Sequence, residues 1–282
     1  MDFVSDLAAA QGAQAPVLLE GTLNHVLWLP ECDSTNRYAK AHFEEFGKIG
    51  AVFTTSQTAG RGRLGRNWEN AAGDGLYYTV AIAEPLAQPN TLPLFASLAV
   101  CNQLKAQYGL DCQIKWPNDI LVGGKKICGI LCEGIRYGEG MAGIGIVCGI
   151  GINLCQTAAQ FAAQGLPHAT SLQIACPDCA IASEAAAPNL ARALTDFGFD
   201  RALYTFAREG FAPYRDAYRA ACVNLGKAVT FDLPNGAVGS GKAVDIDATG
   251  QLVVQTEDGE TNVFTGEVSV KGIYGAIMPE KG

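Results

Sequence analysis

The stretch from residue 112 to 133, CQIKWPNDILVGGKKICGILCE, contains two apolar runs separated by residues that favour turns. The runs predict strands at Cys112–Trp116 and Ile127–Glu133, because their residues are rich in isoleucine and other apolar types. Gly123-Gly124 is typical of a tight turn before the second strand. A similar run follows at Gly143–Ile152, so three strands are predicted in succession.

Further elements are predicted on both sides of this stretch. A helix is predicted from Pro93 to Gly109, since proline is tolerated in a first turn and glycine ends helices. A second helix is predicted after Asp33 or Ser34, and helical periodicity continues through residues 183–220. Three more strands are predicted at His25–Leu29, Ala51–Thr55 and Leu76–Ala83. Residues 1–22 are predicted to be loosely held.

The C-terminal part has a different residue pattern from the rest of the chain. After Gly226, short β-type runs alternate with turn signals, a pattern typical of a small barrel or sandwich. The sequence therefore predicts two domains, residues 1–224 and residues 225–282. The four strands predicted in the second domain are Ala228–Asp232, Lys242–Ile246, Leu252–Gln255 and Asn262–Phe264.

The composition indicates an ordinary globular protein. Of 282 residues, 49% are hydrophobic and 17% charged, and the formal net charge is −8. An acidic total disfavours a nucleic-acid-binding protein, although it leaves room for a local basic site. The N-terminus does not resemble a signal peptide, and no run of 18 apolar residues suggests a membrane span. Most of the 10 cysteines lie among aliphatic residues, as small hydrophobic side chains do. These features predict a cytoplasmic protein.

Residues 60–66 read GRGRLGR, which places three arginines and three glycines in a short segment of an acidic chain. Glycine allows close backbone approach to a ligand, and arginine offers planar donors to carboxylates or phosphates. The segment favours a loop that binds an anion, with a solvated basic turn as the alternative. A dinucleotide fingerprint is excluded, because residues 67–75 cannot form the helix it requires. An RNA-binding Arg/Gly segment would normally repeat, and this one does not.

Residues 115–119 read KWPND, and Lys126 follows the Gly-Gly turn. Asp119 is a candidate Mg²⁺ ligand beside a nucleotide, since Mg²⁺ prefers oxygen ligands. Lys126 could neutralise charge on a phosphate or acyl oxygen. The alternative is a surface hairpin with Asn-Asp turn chemistry. The spacing excludes a P-loop.

Other motifs are less specific. Residues 33–36 (DSTN) are typical of a helix cap, and residues 149–153 (GIGIN) of close strand packing. Cys176 and Cys179 form a single C-x-x-C that most simply belongs to a loop. With only three histidines in the chain, a structural zinc site is not expected.

Five motifs nevertheless occur in a familiar order: residues 34–36 (STN), 57–68 (QTAGRGRLGRNW), 115–119 (KWPND), 126–131 (KICGIL) and 149–154 (GIGINL). With this order the chain resembles the biotin–[acetyl-CoA-carboxylase] ligases, the biotin protein ligase family. The resemblance runs from about residue 24 to residue 155. It continues at residues 169–172 (ATSL) and returns at residues 266–269 (GEVS).

The resemblance implies an α+β fold: a mixed sheet flanked by helices, like the core of class II aminoacyl-tRNA synthetases, followed by a small SH3-like barrel. It implies activation of biotin by ATP and Mg²⁺ to biotinyl-5′-AMP, then transfer to a lysine of a biotin carboxyl carrier domain. Biotin contacts would fall on Ser34, Thr35, Asn36, Gln57, Arg61, Gly62, Arg63 and Lys126. Arg63 and Lys126 would be catalytic. Trp68, Asn118, Asp119 and Asn153 would lie at the nucleotide, with Asp119 as the Mg²⁺ ligand.

Some members of the family also carry an N-terminal helix-turn-helix and act as repressors. Only about 33 residues precede Ser34, and they lack two helices with a basic face, so a ligase without specific DNA binding is expected. A lipoate or octanoate ligase is the related alternative, but it would not need the paired STN and GRGR motifs. The oligomeric state stays open, a homodimer included.

Overall fold

The computed structural model describes residues 17–19, 26–65, 68, 72–179, 181–232, 237–264 and 268–270. The predicted motif at residues 266–269 lies partly outside these residues. Arg66 lies outside them. Within the described residues the chain forms one sheet of eight strands and one of five, with helices packed on the larger sheet.

The larger sheet is mixed, as the family resemblance implies. Its order is β1-β2-β3-β4-β8-β7-β6-β5, and β2 and β3 are parallel while the other neighbouring pairs are antiparallel. The strands are β1 (Val17–Leu19), β2 (Val26–Trp28), β3 (Ile49–Thr54), β4 (Gly75–Ile82), β5 (Cys112–Lys115), β6 (Asp119–Val122), β7 (Lys125–Tyr137) and β8 (Gly143–Asn153).

Seven α-helices occur among the described residues: α1 (Thr35–Ala41), α2 (Leu92–Tyr108), α3 (Ala158–Ala163), α4 (Leu172–Ala175), α5 (Ser183–Ala193), α6 (Asp200–Glu209) and α7 (Arg215–Ala221). Helix α2 ends at Gly109 in the left-handed conformation, as predicted. Six residues of π-helix, Leu194–Phe199, separate α5 from α6.

Helices cover both faces of the larger sheet, which is why every residue of β3 and β4 is buried. Helix α2 and the C-terminal helices cover one face and form the main hydrophobic core. Helix α1 covers part of the other face, where Ala39, Phe43 and Val52 belong to a smaller core. The second face remains uncovered further along β7 and β8, and the candidate site lies there.

The C-terminal sheet is antiparallel, with the order β12-β11-β10-β9-β13. Its strands are β9 (Ala228–Asp232), β10 (Val238–Ile246), β11 (Leu252–Thr256), β12 (Gly259–Val263) and β13 (Val268–Val270). The sheet packs on the larger one through a buried hydrogen bond of 2.9 Å from Trp116 Nε1 to the Gly250 carbonyl. Asp245 also accepts a hydrogen bond of 2.7 Å from Arg215.

Three expectations from the sequence need correction. No strand was predicted between Trp116 and Ile127, yet Asp119–Val122 forms β6, which pairs with β5 on one side and β7 on the other. Val17–Leu19 lies in a segment expected to be loosely held, yet it pairs with β2. Cys176 and Cys179 were expected only to belong to a loop, but a disulfide joins them. No helix among the described ranges has the length and hydropathy needed to cross a membrane.

Candidate active site

Strands β7 and β8 carry a patch without side chains on the face that α1 leaves uncovered. Gly129 on β7 lies directly opposite Gly151 on β8, and Gly149 precedes Gly151 by two residues. Residues two apart in a strand point to the same face. Gly129 and Gly151 therefore form a surface without side chains, called here the glycine floor, while Gly149 lies under the Asn36 amide of α1.

The indole of Trp68 lies on the glycine floor. A Cβ atom at Gly129 would lie 2.7 Å from Trp68 Cζ3, and one at Gly151 would lie 2.9 Å from Cε2, so larger residues would displace the ring. Lys126 Nζ lies 5.1 Å from the ring centroid, in cation–π range. Trp68 Nε1 is buried, and none of the described residues hydrogen-bonds to it. The floor therefore accepts a flat aromatic ring in van der Waals contact.

The segment of residues 60–66, called here the Gly/Arg loop, is joined to the KWPND turn through Arg63. Arg63 Nη1 donates a hydrogen bond of 2.7 Å to Asn118 Oδ1. Asn118 in turn donates from Nδ2 to the Ile130 carbonyl at 2.8 Å, which fixes its amide on β7. At the base of the loop, the Trp68 amide donates to the Gly60 carbonyl at 3.0 Å. Two segments far apart in sequence thus meet at one guanidinium.

Lys126 is fixed at both its side chain and its backbone. Its Nζ lies 2.7 Å from Asp119 Oδ1, and both side chains are largely buried. Its amide donates to the His168 carbonyl and its carbonyl accepts from the Thr170 amide, each at 2.8 Å. The pairing of β6 with β7 brings Asp119 opposite Gly129, which explains why the carboxylate reaches the lysine. The ammonium is therefore preorganised beside the floor.

A cluster of polar side chains, called here the polar cluster, lies at the start of α1, at the other end of the floor. Thr35 donates from its amide to Gln57 Oε1 at 2.7 Å and from its hydroxyl at 3.1 Å. The buried Thr79 hydroxyl on β4 lies 2.8 Å from both Thr35 Oγ1 and Asn36 Oδ1. Ser34 is buried at the N-cap position, but its side chain makes no capping hydrogen bond to the described helix. These groups form a compact set of neutral donors and acceptors.

Asn36 is anchored by β7. Its Nδ2 donates to Glu133 at 2.8 Å and to the Leu131 carbonyl at 3.2 Å. Burial alone would raise the pKa of Glu133, but hydrogen bonds from Lys40 and Asn36 and the charges of Lys40 and Arg61 lower it overall. Glu133 is therefore an ionised anchor. Both the nitrogen and the oxygen of the Asn36 amide are hydrogen-bonded to protein groups.

Two amides lie at the end of β8, beyond the indole. Asn153 Nδ2 donates to the Thr170 carbonyl at 2.9 Å. Gln156 Nε2 lies 3.4 Å from Asn153 Oδ1, and the Gln156 carbonyl accepts from Ser171 Oγ at 2.6 Å. Asn153 points to the same face as Gly151, because the two are two residues apart on β8. The floor is thus bordered by hydroxyls and amides at one end and by amides at the other.

Comparison with known proteins identifies the family. Residues 28–153 match the Biotin/lipoate A/B protein ligase family, and residues 225–271 match the Biotin protein ligase C terminal domain. A biotin–[acetyl-CoA-carboxylase] ligase from Paracoccus denitrificans is 31% identical over 258 residues, which cover 86% of this chain and 100% of that protein. The chain belongs to the biotin protein ligase family.

Two further relatives extend the comparison. The bifunctional ligase/repressor BirA of Bacillus spizizenii is 30% identical over 225 residues, or 78% of this chain, and this match spans only 65% of that protein's length. The structure of a biotin protein ligase from Aquifex aeolicus in complex with biotin and ATP aligns with a TM-score of 0.69. It is 26% identical and covers 87% of this chain and 98% of its own.

The structure brings most of the predicted biotin protein ligase residues to one surface. Thr35, Asn36 and Gln57 lie in the polar cluster. Beside the floor, Arg63 is hydrogen-bonded to Asn118, and Lys126 forms an ion pair with Asp119. Arg61 is exposed but close enough to lower the pKa of Glu133. Gly62 lies half-buried in the same loop. Their contacts with ligands stay predictions.

Four residues of the site were not found by sequence reasoning: Lys40, Thr79, Glu133 and Gln156. Thr79 and Glu133 lie inside strands whose pattern indicates only buried sheet. Their partners are 43 to 97 positions away in the chain, so no local spacing could have signalled them. Gln156 follows the GIGIN motif closely, and that proximity was the only available signal.

Proposed function

We infer that this protein activates biotin with ATP to biotinyl-5′-AMP and transfers the biotinyl group to a lysine of a biotin carboxyl carrier domain. The observation that carries this conclusion is that two cations, Arg63 and Lys126, lie on the same surface as a neutral polar cluster and a floor for a flat ring. Biotin offers a polar bicyclic ring and one carboxylate, and ATP offers a flat base and phosphates. The chemistry of both substrates therefore matches one surface.

The polar cluster suits the ureido ring of biotin. That ring presents two N–H donors and one carbonyl acceptor. The Ser34 hydroxyl supplies a complementary group, and so do Thr35 and Gln57 once the ligand replaces the hydrogen bond between their side chains. Asn36 serves here as a support for Thr79 and Thr35 rather than as a free donor, since both ends of its amide are engaged. Its direct contact with biotin remains part of the proposal.

The two cations suit the reacting groups. A carboxylate that attacks a phosphate brings two anions together, so the reaction needs fixed positive charge at the meeting point. Arg63 and Lys126 are the cations held there, by Asn118 and Asp119 respectively. Because these partners fix both side chains before ligands bind, little reorganisation is needed in the transition state.

The glycine floor suits the base of ATP. The indole of Trp68 demonstrates that a planar aromatic ring fits in contact with Gly129 and Gly151. In the proposed complex the base takes the floor and the indole moves to the outer face of the base. Stacking of this kind favours an offset arrangement of the two rings. Asn153 and Gln156 then lie at the polar edge of the base.

The residues near Asp119 fit a Mg²⁺ ion that arrives bound to ATP. Among the described residues no group of three or more histidine, cysteine or acidic side chains is placed to hold a metal. Mg²⁺ commonly keeps several waters and binds through one or two carboxylates plus substrate phosphates. Asp119 would supply the carboxylate, with the amide oxygen of Asn118 nearby. The ion would supply charge neutralisation at the phosphates.

The first half-reaction follows from this placement. The biotin carboxylate oxygen attacks the α-phosphorus, the bond to the β-phosphate oxygen breaks, and pyrophosphate leaves. The product is a mixed anhydride that water would hydrolyse, so it needs shielding. We propose that the Gly/Arg loop shields it from water, because Arg63 of this loop is hydrogen-bonded to Asn118.

In the second half-reaction the acceptor amine attacks the anhydride carbonyl and AMP leaves. The amine has an ordinary pKa of about 10.4, so it must lose a proton before it reacts. The partner that presents this lysine is a carrier domain, and we propose residues 1–224 as the catalytic domain and residues 225–282 as a small SH3-like domain. We also propose that the reaction takes place in the cytoplasm.

The proposal is tested with purified protein, ATP, Mg²⁺, radiolabelled biotin and an apo carrier domain. We expect label on the carrier only when ATP is present, and none on a carrier whose acceptor lysine is replaced by arginine. Biotin-dependent exchange of pyrophosphate into ATP isolates the first half-reaction. We expect Lys126→Ala to slow that exchange on the order of 100-fold, the scale for one preorganised electrostatic group. Labelling by lipoate or octanoate instead of biotin would overturn the substrate assignment.

A further inference from the structure

Gln156 is buried at the nucleotide end of the site without a recognised role. It follows β8 by three residues and is 1% exposed. Its carbonyl is held by the Ser171 hydroxyl at 2.6 Å, which fixes the backbone, and its Nε2 faces Asn153 Oδ1 at 3.4 Å. The side chain is therefore anchored on one side only.

The other end of the Gln156 amide is different. Oε1 is buried, and no hydrogen-bond donor among the described residues reaches it. A buried acceptor without a donor is unfavourable in a folded protein, so such an atom calls for an explanation. Asn153 does not share this property, because its Nδ2 donates to Thr170 and its Oδ1 faces Gln156. Among the two amides, Gln156 offers the acceptor.

The position of this acceptor relates it to the glycine floor. Trp68 covers Gly151, and Asn153 is the next residue of β8 on the same face. Gln156 lies against Asn153, so its amide borders the floor beyond the indole. A base that replaces the indole on the floor would extend its polar edge toward these amides.

We propose that Gln156 determines the choice of nucleotide by accepting a hydrogen bond from the exocyclic amine of adenine. This proposal rests on the proposed function, because it requires a base on the glycine floor. Guanine carries a carbonyl at the corresponding ring position, which would place one acceptor against another. Sites built to pair with a substrate N–H reject analogues that lack it, since their own buried polar group is then left unpaired. The enzyme should therefore prefer ATP to GTP through this contact.

The experiment removes the contact from each side in turn. On the ligand side, ATP is compared with purine riboside triphosphate, which has the same ring without the amine, and with GTP. On the protein side, Gln156→Met keeps the length of the side chain and removes the amide. Gln173→Met is the matched control, because Gln173 is exposed on α4 and its amide group contacts none of the groups invoked here. The readout is kcat/KM in biotin-dependent pyrophosphate exchange.

The wild type and Gln173→Met should use the analogue on the order of tenfold less well than ATP, the scale of one lost hydrogen bond in a buried site. Gln156→Met should use the two nucleotides within about twofold of each other, because the contact is already absent. The KM for biotin should be unchanged. A wild type that uses the analogue as well as ATP overturns the proposal, and so does a Gln156→Met enzyme that keeps the wild-type ratio.

A second measurement separates this proposal from the proposed function. Calorimetric titration of each protein with ATP and with the analogue, without biotin, measures the ratio of the two Kd values and needs no turnover. Absence of biotin-dependent exchange in the wild type contradicts the ligase function alone. Equal Kd values for the two nucleotides in the wild type contradict the Gln156 contact alone. The analogue comparison on wild-type protein also decides the question if Gln156→Met fails to fold.

Discussion

Individual glycines do much to shape this site, because the space for ligand is created by side chains that are absent. Gly129 and Gly151 leave room for a ring, while Gly149 leaves room for the Asn36 amide, whose Oδ1 would lie 2.2 Å from an added Cβ. The same residue type thus serves the two ends of the site differently. A methyl group added at one glycine should affect one substrate and spare the other.

Gly151→Ala tests this separation. Its methyl group would lie 2.9 Å from the Trp68 ring, in the space assigned to the base. Overpacking of this kind costs about 1–3 kcal/mol, so kcat/KM for ATP should fall on the order of tenfold or more while the KM for biotin changes little. Gly134→Ala is the control, since a Cβ there meets nothing within 4 Å. An equal rise in both KM values would contradict the proposed location of the base.

Glu133→Gln tests the ionised anchor at the other end. The pKa of Glu133 is lowered from its ordinary value of 4.5, so ionisation stabilises the folded protein above that pH. This stabilisation is lost as the pH falls below 4.5 through the folded pKa. The wild type should therefore melt at a higher temperature than Glu133→Gln at pH 7, and the difference should shrink in acid. An exposed control, Glu139→Gln, should follow the wild type. A difference that stays constant down to pH 3 would show that the charge of Glu133 is not the cause.

At the level of elements, the sequence predicted the regular parts well. Helix α2 has proline in its first turn and glycine after its last residue. The runs of apolar, largely β-branched residues in β4 and β8 strongly favour strands. Strand β6 was missed because Asn118 and Asp119 are typical turn residues, and pairing on both sides overrides that preference. The disulfide at Cys176 also depends on geometry rather than on composition.

The candidate site shows the same difference between what the sequence predicts and what depends on the fold. Motifs identified the residues of the Gly/Arg loop and the KWPND turn, but their mutual contacts depend on the sheet that brings them together. Arg63 reaches Asn118 across 55 positions of sequence, and Asn36 reaches Glu133 across 97. Sequence therefore predicted the candidate residues of the site, while the partners that hold them could be read only from the fold.

Arg63→Gly tests the Gly/Arg loop as a cover for the intermediate. The variant loses the hydrogen bond of 2.7 Å from Arg63 to Asn118, which joins the loop to the KWPND turn. Some adenylate should still form, but it should escape and label bystander lysines several-fold faster than with the wild type. The measurement is labelling of serum albumin at equal enzyme, biotin and ATP, with Arg136→Gly, an exposed position near the far end of β7, as the control. Adenylate synthesis without faster albumin labelling would refute the covering role.

At the scale of the whole molecule, the C-terminal sheet holds the KWPND turn in place. Trp116 belongs to the KWPND motif, yet its indole points away from the floor and donates to the Gly250 carbonyl of the second sheet. The Trp116 amide donates to Asn224 Oδ1 at 2.8 Å, in the segment that joins the two sheets. The position of Asn118 and Asp119 thus depends on residues more than 100 positions later. The C-terminal sheet should therefore influence the nucleotide end of the site without contacting it.

Trp116→Phe tests this coupling. Phenylalanine keeps most of the apolar packing but leaves the Gly250 carbonyl without its donor, and an unpaired buried carbonyl costs about 1–3 kcal/mol. The free energy of unfolding in urea should fall by about that amount. Because Trp116 lies two residues before Asn118, the KM for ATP should rise more than the KM for biotin. Trp28→Phe is the control, since Trp28 is buried in β2 and belongs to the same core. If both variants lose stability equally and neither shifts the KM for ATP, the second sheet acts only as additional core, and the coupling through Trp116 is wrong.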